Sequence, residues 1–158
     1  MLQIHGAQTN HFPLLVLSGS APSTHIATHG SFQTLQTTTF LAPHTKLSLR
    51  APTAVQLPQA IREAYRTAFW GRPGAAAVEI NGDYVTYKLD AADLEGLIRP
   101  NGQLAVAPVP HGPKQEGDRQ RVKQLAALLR AAKNPLIVVG KGAAYAQCET
   151  VLKDFVER

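Results

Sequence analysis

The chain has 158 residues, of which 44% are hydrophobic and 17% charged, so it can bury the core of one domain or of two partial ones. Its one cysteine, Cys148, excludes an internal disulfide framework and a multi-cysteine metal site, and it fits a reducing compartment. The formal net charge is +5. The sixteen Lys and Arg residues are scattered, with no run of five like charges and no interleaved aromatic residues, which argues against a nucleic-acid groove.

The first predicted element is a short strand over residues 14–17, an all-apolar run that Ser18-Gly19-Ser20 ends. A run without polar positions is typical of a central parallel strand that is buried on both faces. Residues 21–39 follow as a stretch rich in Thr and His with weak periodicity. This stretch is expected to form loop, short helix or a site.

Residues 58–69 are predicted to form an amphipathic helix. Five apolar residues recur at helical spacing and form one apolar stripe, namely Ile61, Ala64, Tyr65, Ala68 and Phe69. Pro58 suits the first turn, Gly71 can cap the end, and Pro73 prevents continuation. Residues 75–80 are then predicted to form another strand.

Residues 88–117 contain several Pro and Gly and are predicted to link two folding units. Helical spacing returns from Val122 to Ala132, followed by a second short strand over residues 136–139 and a Gly-Lys-Gly turn. A third helix is expected to bury Tyr145, Cys148, Val151, Leu152 and Phe155.

This order predicts an α/β fold with parallel-sheet, three-layer units, both incomplete, because the second unit would leave bare sheet edges. The predicted organisation is one domain over residues 1–88, a linker over 89–117 and the start of a second domain over 118–158.

Two features could bind phosphate. Gly140-Lys141-Gly142 leads from a predicted strand into a helix, where free N–H groups and the helix dipole favour an anion. The loop lacks the ending of a Walker motif and the third glycine of a dinucleotide fingerprint, so a plain glycine turn is the alternative. Arg72, in the turn Gly71-Arg72-Pro73-Gly74, could bind phosphate or carboxylate, or it could cap the preceding helix.

No metal site is predicted. His25 and His29 have the spacing of a helical metal pair, but no Glu, Asp or Cys lies near them in the sequence to complete a site. No paired carboxylates and no nucleophile elbow occur, and Cys148 lies on the inward stripe of its predicted helix. The residues alone therefore show no self-sufficient catalytic constellation.

No apolar stretch approaches the roughly 20 residues that cross a bilayer, and the N-terminus has no basic region ahead of an apolar one. The C-terminal Phe155-Val156-Glu157-Arg158 matches no lipidation or peroxisomal signal. We therefore expect no membrane partner and a cytoplasmic location, with the peroxisome as the alternative.

Several segments resemble thiamine-diphosphate enzymes of the 2-hydroxyacyl-CoA lyase and oxalyl-CoA decarboxylase family. Residues 10–20 and Gly30-Ser31-Phe32-Gln33 are similar to the pyrimidine-binding domain, and residues 43–46, Arg50 and residues 71–74 keep the family's spacing. Residues 135–146 are the most specific segment and resemble the opening strand and loop of the central domain. The similarity covers nearly the whole chain and is weakest over residues 84–120.

The resemblance implies carbon–carbon cleavage by thiamine diphosphate and Mg²⁺ in the complete enzyme. Lyases of this kind split a 2-hydroxyacyl-CoA into formyl-CoA and an aldehyde, and the decarboxylase releases carbon dioxide from oxalyl-CoA. Phe32 and Gln33 match positions beside the cofactor's reactive side. Arg72, Gly140 and Lys141 match the site of ADP in the decarboxylase or of FAD in acetolactate synthases. The resemblance also implies a homo-oligomer, either a dimer or a tetramer, with an acyl-CoA substrate.

The chain departs from the family at Thr34 and Gln36, where acids are usual, which puts activity or substrate choice in doubt. The family's catalytic glutamate and its diphosphate and Mg²⁺ site have no counterpart in these residues, so we expect no activity from this chain alone. The alternatives are a non-catalytic remnant that binds a nucleotide or a full-length relative, and an acetolactate synthase-like protein, against which the Gly-Lys-Gly-Ala-Ala-Tyr string argues.

Overall fold

The computed structural model describes residues 1–26, 34–114 and 116–157. The chain forms two compact units, Met1–Gly112 and Pro113–Arg158. The strands of the first unit are β1 (Leu14–Ser20), β2 (Leu47–Arg50) and β3 (Ala75–Asn81). Its helices are α1 (Leu2–Asn10), α2 (Ser23–Ile26), α3 (Thr37–Leu41), α4 (Leu57–Phe69), α5 (Gly82–Thr86) and α6 (Ala91–Leu97), with a 3-10 turn over Ala42–His44. The second unit contains α7 (Arg119–Ala131), α8 (Lys141–Tyr145) and α9 (Glu149–Val156).

The three strands form a parallel sheet in the order β1-β3-β2. β3 is central and pairs with β1 from Leu14↔Ala75 to Ser20↔Asn81, and with β2 from Leu47↔Ala76 to Arg50↔Glu79. The predicted α/β fold with parallel strands is therefore confirmed in the first unit, and two of its strands lie where the apolar runs predicted them.

Helices cover both faces of the sheet. On one face, Ile4 and Ala7 of α1 and Leu41 of α3 pack on Ala75 and Ala77 of β3. On the other face, the three alanines of α4 pack on Ala76 and Val78; these are Ala60, Ala64 and Ala68. Alanines on both faces of β3 let the helices approach closely, and the first unit is a three-layer sandwich.

The buried side of α4 differs from the predicted apolar stripe. Its buried residues are alanines, whereas Tyr65 and Phe69 remain 41% and 44% exposed and stack on one another with ring centroids 4.5 Å apart. Small side chains face the sheet because it lies too close for aromatic rings. Of the predicted apolar stripe, Ala64 and Ala68 are therefore buried, whereas Tyr65 and Phe69 are not.

The turn after α4 confirms the role expected of Gly71, which has a φ of +66° that glycine adopts without strain. At Gly74 the space is limited, because a Cβ there would lie 2.6 Å from Gln8 Oε1 and the Gln8 side chain would have to move. The ammonium group of Lys46 donates to the carbonyls of Thr67 and Trp70 and so caps the last turn of α4. Burial lowers the pKa of Lys46.

In the second unit, residues 136–139 were predicted to be a buried strand and do not form one. Leu136 and Val138 are 88% and 86% exposed. A strand requires a hydrogen-bonded neighbour, and none of residues 116–157 provides one.

The third predicted helix of the chain, the second in this unit, is two helices, α8 and α9, with Gln147 at a φ of +52° between them. Val151 and Phe155, which were predicted to face inward, are 71% and 54% exposed. Two short helices with a break between them present no continuous apolar stripe. The helical spacing of the apolar residues therefore predicted a buried face that does not form.

Candidate functional site

Polar side chains collect at the carboxyl edge of the sheet, where ligands bind in open α/β sheets. β2 ends at Arg50, and β3 ends with Glu79 and Asn81. Each of these three residues follows an apolar residue in its strand. The two strands therefore place polar side chains at the same edge of the sheet.

Glu79 is the most buried charge of this edge, at 1% exposed. Its Oε1 lies 2.7 Å from Nη2 of Arg50, its register partner, and its Oε2 accepts from the backbone N–H of Thr38 at 3.2 Å. The Thr38 N–H lies in the first turn of α3, where the helix dipole favours a carboxylate. The pair thus joins β2, β3 and the start of α3.

Asp83, in α5, makes a similar connection to α2. Its carboxylate accepts from the Ser23 hydroxyl at 2.7 Å and from the Ser23 backbone N–H at 3.0 Å. These two hydrogen bonds favour the ionised form and hold the pKa of Asp83 below its usual value. Glu79 and Asp83 therefore hold residues that lie on either side of positions 27–33 in the sequence.

A cavity of about 390 Å³, here called the edge cavity, opens beside these groups. Its lining residues come from α2, the end of β2, the loop into α4 and the segment after β3: Ser23, Arg50, Ala51, Pro52, Thr53, Ala54, Val55, Asn81, Asp83, Tyr84 and Tyr87. The Tyr84 hydroxyl shares its one hydrogen between the carbonyls of Ala51 and Pro52, at 3.0 and 2.8 Å, which fixes the loop that forms one wall.

None of the site residues predicted from the sequence is among the described residues that line the edge cavity. Phe32 and Gln33 fall outside the described residues. Arg72 is exposed in the turn before β3, at the amino edge of the sheet. Because β3 has seven residues, this turn lies about 20 Å from the edge cavity.

Gly140 and Lys141 belong to the second unit, where Gly140 is the N-cap of α8 as the sequence predicted. A cavity of about 320 Å³ adjoins this loop and is lined by Val139, Gly140, Lys141, Ala143, Ala144, Cys148, Glu149 and Leu152. The Cys148 thiol donates to the Ala143 carbonyl at 3.3 Å. Space for a ligand therefore exists beside the glycine turn.

Sequence reasoning missed Glu79, Asn81 and Asp83. A signal was present, because Glu79 is an acid inside the apolar run of residues 75–80, and an acid in a buried strand needs a partner. Within the described ranges, no group of three His, Cys, Asp or Glu side chains could hold a metal ion. Among the same residues, no helix has the length and apolar character to cross a membrane.

Comparison with known proteins finds relatives of the kinds that the sequence resembles. No family model matches the sequence. The chain is 33% identical over 152 residues to 2-hydroxyacyl-CoA lyase 1 of Homo sapiens, a match that covers 96% of this chain and 25% of the human protein. It is 27% identical over 154 residues to the oxalyl-CoA decarboxylase of Escherichia coli (strain K12), covering 96% of this chain and 26% of that protein. It is also 30% identical over 151 residues to the acetolactate synthase isozyme 3 large subunit of the same organism, covering 96% and 25%. The chain thus spans about a quarter of the length of these curated relatives.

Proposed function

Because the chain is homologous over 96% of its length to 2-hydroxyacyl-CoA lyases and oxalyl-CoA decarboxylases, we propose that it forms part of a thiamine-diphosphate-dependent carbon–carbon lyase. The proposed substrate of the complete enzyme is a 2-hydroxyacyl-CoA or oxalyl-CoA. The observation that carries the proposal is the 33% identity to a 2-hydroxyacyl-CoA lyase, which extends over both units of the chain.

Thiamine diphosphate, when bound, would supply the carbanion-stabilising chemistry that cleaves the carbon–carbon bond. In this proposal Phe32 and Gln33 face the cofactor. The described residues do not fit its Mg²⁺-diphosphate end, because they contain no cluster of three metal-ligating side chains. We therefore expect no turnover from this chain alone.

The first unit would contribute support for the cofactor-facing residues. Glu79 holds Thr38 and Asp83 holds Ser23, so both sequence neighbours of positions 27–33 are attached to β3 and α5. Such anchoring is how a rigid sheet positions a functional segment. Arg50 supports the arrangement because its guanidinium neutralises Glu79.

The second unit would contribute a nucleotide contact. Gly140 and Lys141 border a cavity of about 320 Å³, and glycine lets a phosphate approach the backbone. We propose that ADP, as a free nucleotide, binds Gly140 and Lys141 of the second unit. The prediction that Arg72, in the first unit, is a nucleotide contact stays a separate proposal. The complete enzyme would be a homo-oligomer, a dimer or tetramer, in the cytoplasm, which agrees with the single cysteine.

Two other functions each have one observation in their favour. A non-catalytic remnant is favoured by Gln36, which occupies the N-cap of α3 without making a side-chain capping hydrogen bond, where the family usually has an acid. An acetolactate synthase-like protein is favoured by the 30% identity to that relative. Flavin absorbance in the purified protein would support this last candidate.

Isothermal titration calorimetry with ADP, and separately with thiamine diphosphate and Mg²⁺, tests the proposal. We expect ADP to bind. Arg72→Ala and Lys141→Ala should each weaken binding by about 1.5–3 kcal/mol, because each removes a charged hydrogen-bond donor. Lys133→Ala, at an exposed position of the same unit, is the control and should bind normally. An unchanged dissociation constant in the Arg72→Ala/Lys141→Ala double variant would exclude these residues from the site.

A further inference from the structure

The predicted linker begins with a segment that contacts α4. The backbone N–H of Ala105 donates to the carbonyl of Leu97 at 2.7 Å, which fixes the start of this segment. Residues 107–112, here called the strap, form neither helix nor strand and end at the last residue of the first unit. Neither the proposed cofactor contacts nor the proposed nucleotide contacts involve the strap.

The sequence restricts the strap to an extended backbone. Proline has a fixed φ and disfavours the helical region for the residue before it. Six of residues 107–113 either are proline or precede one, the prolines being Pro108, Pro110 and Pro113. Such a sequence favours polyproline II, whose carbonyls make no hydrogen bonds within the segment. The carbonyls of the strap are therefore expected to accept from donors elsewhere.

Side chains at α4 supply these donors. Arg62 donates through Nε to the carbonyl of Ala107 and through Nη2 to that of Pro108, the latter at 3.5 Å. Nε1 of Trp70 donates to the carbonyl of Pro110 at 3.1 Å. Eight positions of helix span about 12 Å and three residues of polyproline II about 9 Å, so the spacing of the two donors fits that of the carbonyls. All three acceptors are backbone atoms, so α4 binds the main chain of the strap.

Trp70 also provides a surface for the strap. A Cβ added to Gly112 would lie 3.2 Å from Cδ1 of the indole, so the backbone of the strap passes directly against the ring. The guanidinium carbon of Arg66 lies 5.5 Å from the centroid of the same ring, a distance at which the cation and the ring attract each other. Aromatic surfaces of this kind bind proline-rich segments in peptide-recognition domains.

Little of the strap is buried. Val109 is the one partly buried residue of the strap, and its other five residues are exposed. Segments with few buried apolar contacts open at a low cost in free energy. Release of the strap therefore leaves the core of the first unit intact.

The helix offers more aromatic surface than the strap covers. Tyr65 and Phe69 lie beside the row formed by Arg62 and Arg66, because positions three apart are neighbours on a helix. Both rings stay exposed, at 41% and 44%. A longer proline-rich ligand would pack on these rings as well, which would offset the advantage that tethering gives the strap.

We infer that the outer face of α4, formed by Arg62, Arg66 and Trp70, is a docking site for a proline-rich segment. The strap covers this face in cis, and a proline-rich segment of a partner protein displaces it. The seated strap indicates this chemistry, because its main chain already accepts from the donors at α4. The inference goes beyond the proposed enzymatic function and does not depend on it.

Nitrogen-15 NMR of the full chain tests the inference through the indole N–H of Trp70, which gives one signal because the sequence has one tryptophan. The probe is a peptide with the sequence of residues 105–113 and both ends blocked. We expect it to shift the indole signal to saturation and to move the amide signals of Val109 and His111 to the positions of an unstructured chain. The control peptide has glycine at its three proline positions and should bind about tenfold more weakly, because proline pre-sets the extended backbone.

Variants separate the site from the strap. Pro108→Gly/Pro110→Gly loosens the strap and should strengthen binding of the probe about fivefold. Added to that double variant, Arg62→Met removes two donors and should weaken binding about tenfold. Arg130→Met, at an exposed position of α7, is the matched control in the same background and should leave binding unchanged. Unshifted amide signals of β3 show that each variant is folded.

A short tether acts at an effective concentration on the order of millimolar, so a segment that docks in cis must bind in trans with a dissociation constant below that value. The inference is overturned if the probe gives no saturable shift in Pro108→Gly/Pro110→Gly at several times that concentration. Equal binding of the glycine peptide, or binding that Arg62→Met leaves unchanged, would also overturn it. An indole signal that shifts with chain concentration alone would assign the site to the strap of a second copy instead of a partner protein.

Discussion

At the scale of single residues, the carboxylates of β3 and α5 decide how the carboxyl edge is held together. Glu79 is almost completely buried, yet all of its interactions are favourable: a guanidinium on one oxygen and a helix N–H on the other. Asp83 is less buried, and both of its hydrogen bonds come from Ser23. Their energetic roles therefore differ, and each can be tested.

Glu79→Gln keeps the size of the side chain and removes its charge. We expect the free energy of unfolding to fall by about 2 kcal/mol, less than for a fully buried ion pair because the Arg50 side chain is 30% exposed. Urea unfolding followed by circular dichroism measures this change. Glu63→Gln, on the exposed side of α4, is the control. Equal midpoints for the two variants would contradict a role for the buried pair.

Asp83 should make the stability of the first unit depend on pH in the acid range. Because its folded pKa is depressed, its contribution is complete above its unfolded pKa of about 4 and is lost as the pH falls through the lower folded value. Asp83→Asn should therefore flatten the decline of thermal stability below about pH 4. Ser23→Ala should flatten it in part, since it removes the hydroxyl donor and keeps the backbone N–H. A decline as steep as in the wild type would exclude this pair as its cause.

At the scale of elements, short helices around the sheet depend on tertiary contacts more than on their own sequences. α3 has only five residues and no side-chain N-cap, and one of its first N–H groups is satisfied by Glu79 from another element. A helix this short is not stable in isolation. A residue whose side chain can cap the helix should therefore stabilise α3 when it replaces Gln36.

Gln36→Ser should stabilise the first unit by about 0.5–1 kcal/mol, because a serine hydroxyl can accept from the backbone N–H of Thr39. Serine is chosen over aspartate to avoid placing a second carboxylate near Glu79. Chemical denaturation compares the variant with Gln36→Ala, which cannot cap and should not stabilise. If serine and alanine behave alike, the N-cap of α3 has no energetic role.

At the scale of the whole molecule, burial is divided unequally between the two units. Every residue that is buried in the described part of the chain lies in the first unit, and residues 116–157 contain none. Since buried apolar area provides most of the folding free energy, the two units should differ in local stability.

Amide hydrogen exchange measures this difference directly. We expect amides of β3 to exchange about 100-fold or more slowly than those of α7 and α9, because opening free energies range from nearly zero to the global value. Exchange of equal slowness in both units would contradict the division. Addition of ADP should slow exchange around Gly140 if the proposed nucleotide contact exists.

The sequence by itself determined the fold class, the strands β1 and β3, the long helix α4 and the relationship to thiamine-diphosphate enzymes. These depend on local signals: apolar runs, a 3.6-residue spacing, and the turn residues around Gly71. Tertiary structure alone decided which side of α4 is buried, that β2 pairs with β3, and that residues 136–139 form no strand. It also brought together Arg50, Glu79 and Asn81, which lie up to 31 positions apart in the sequence. Spacing and composition describe neighbours along the chain, whereas burial and pairing depend on distant segments that the fold brings into contact.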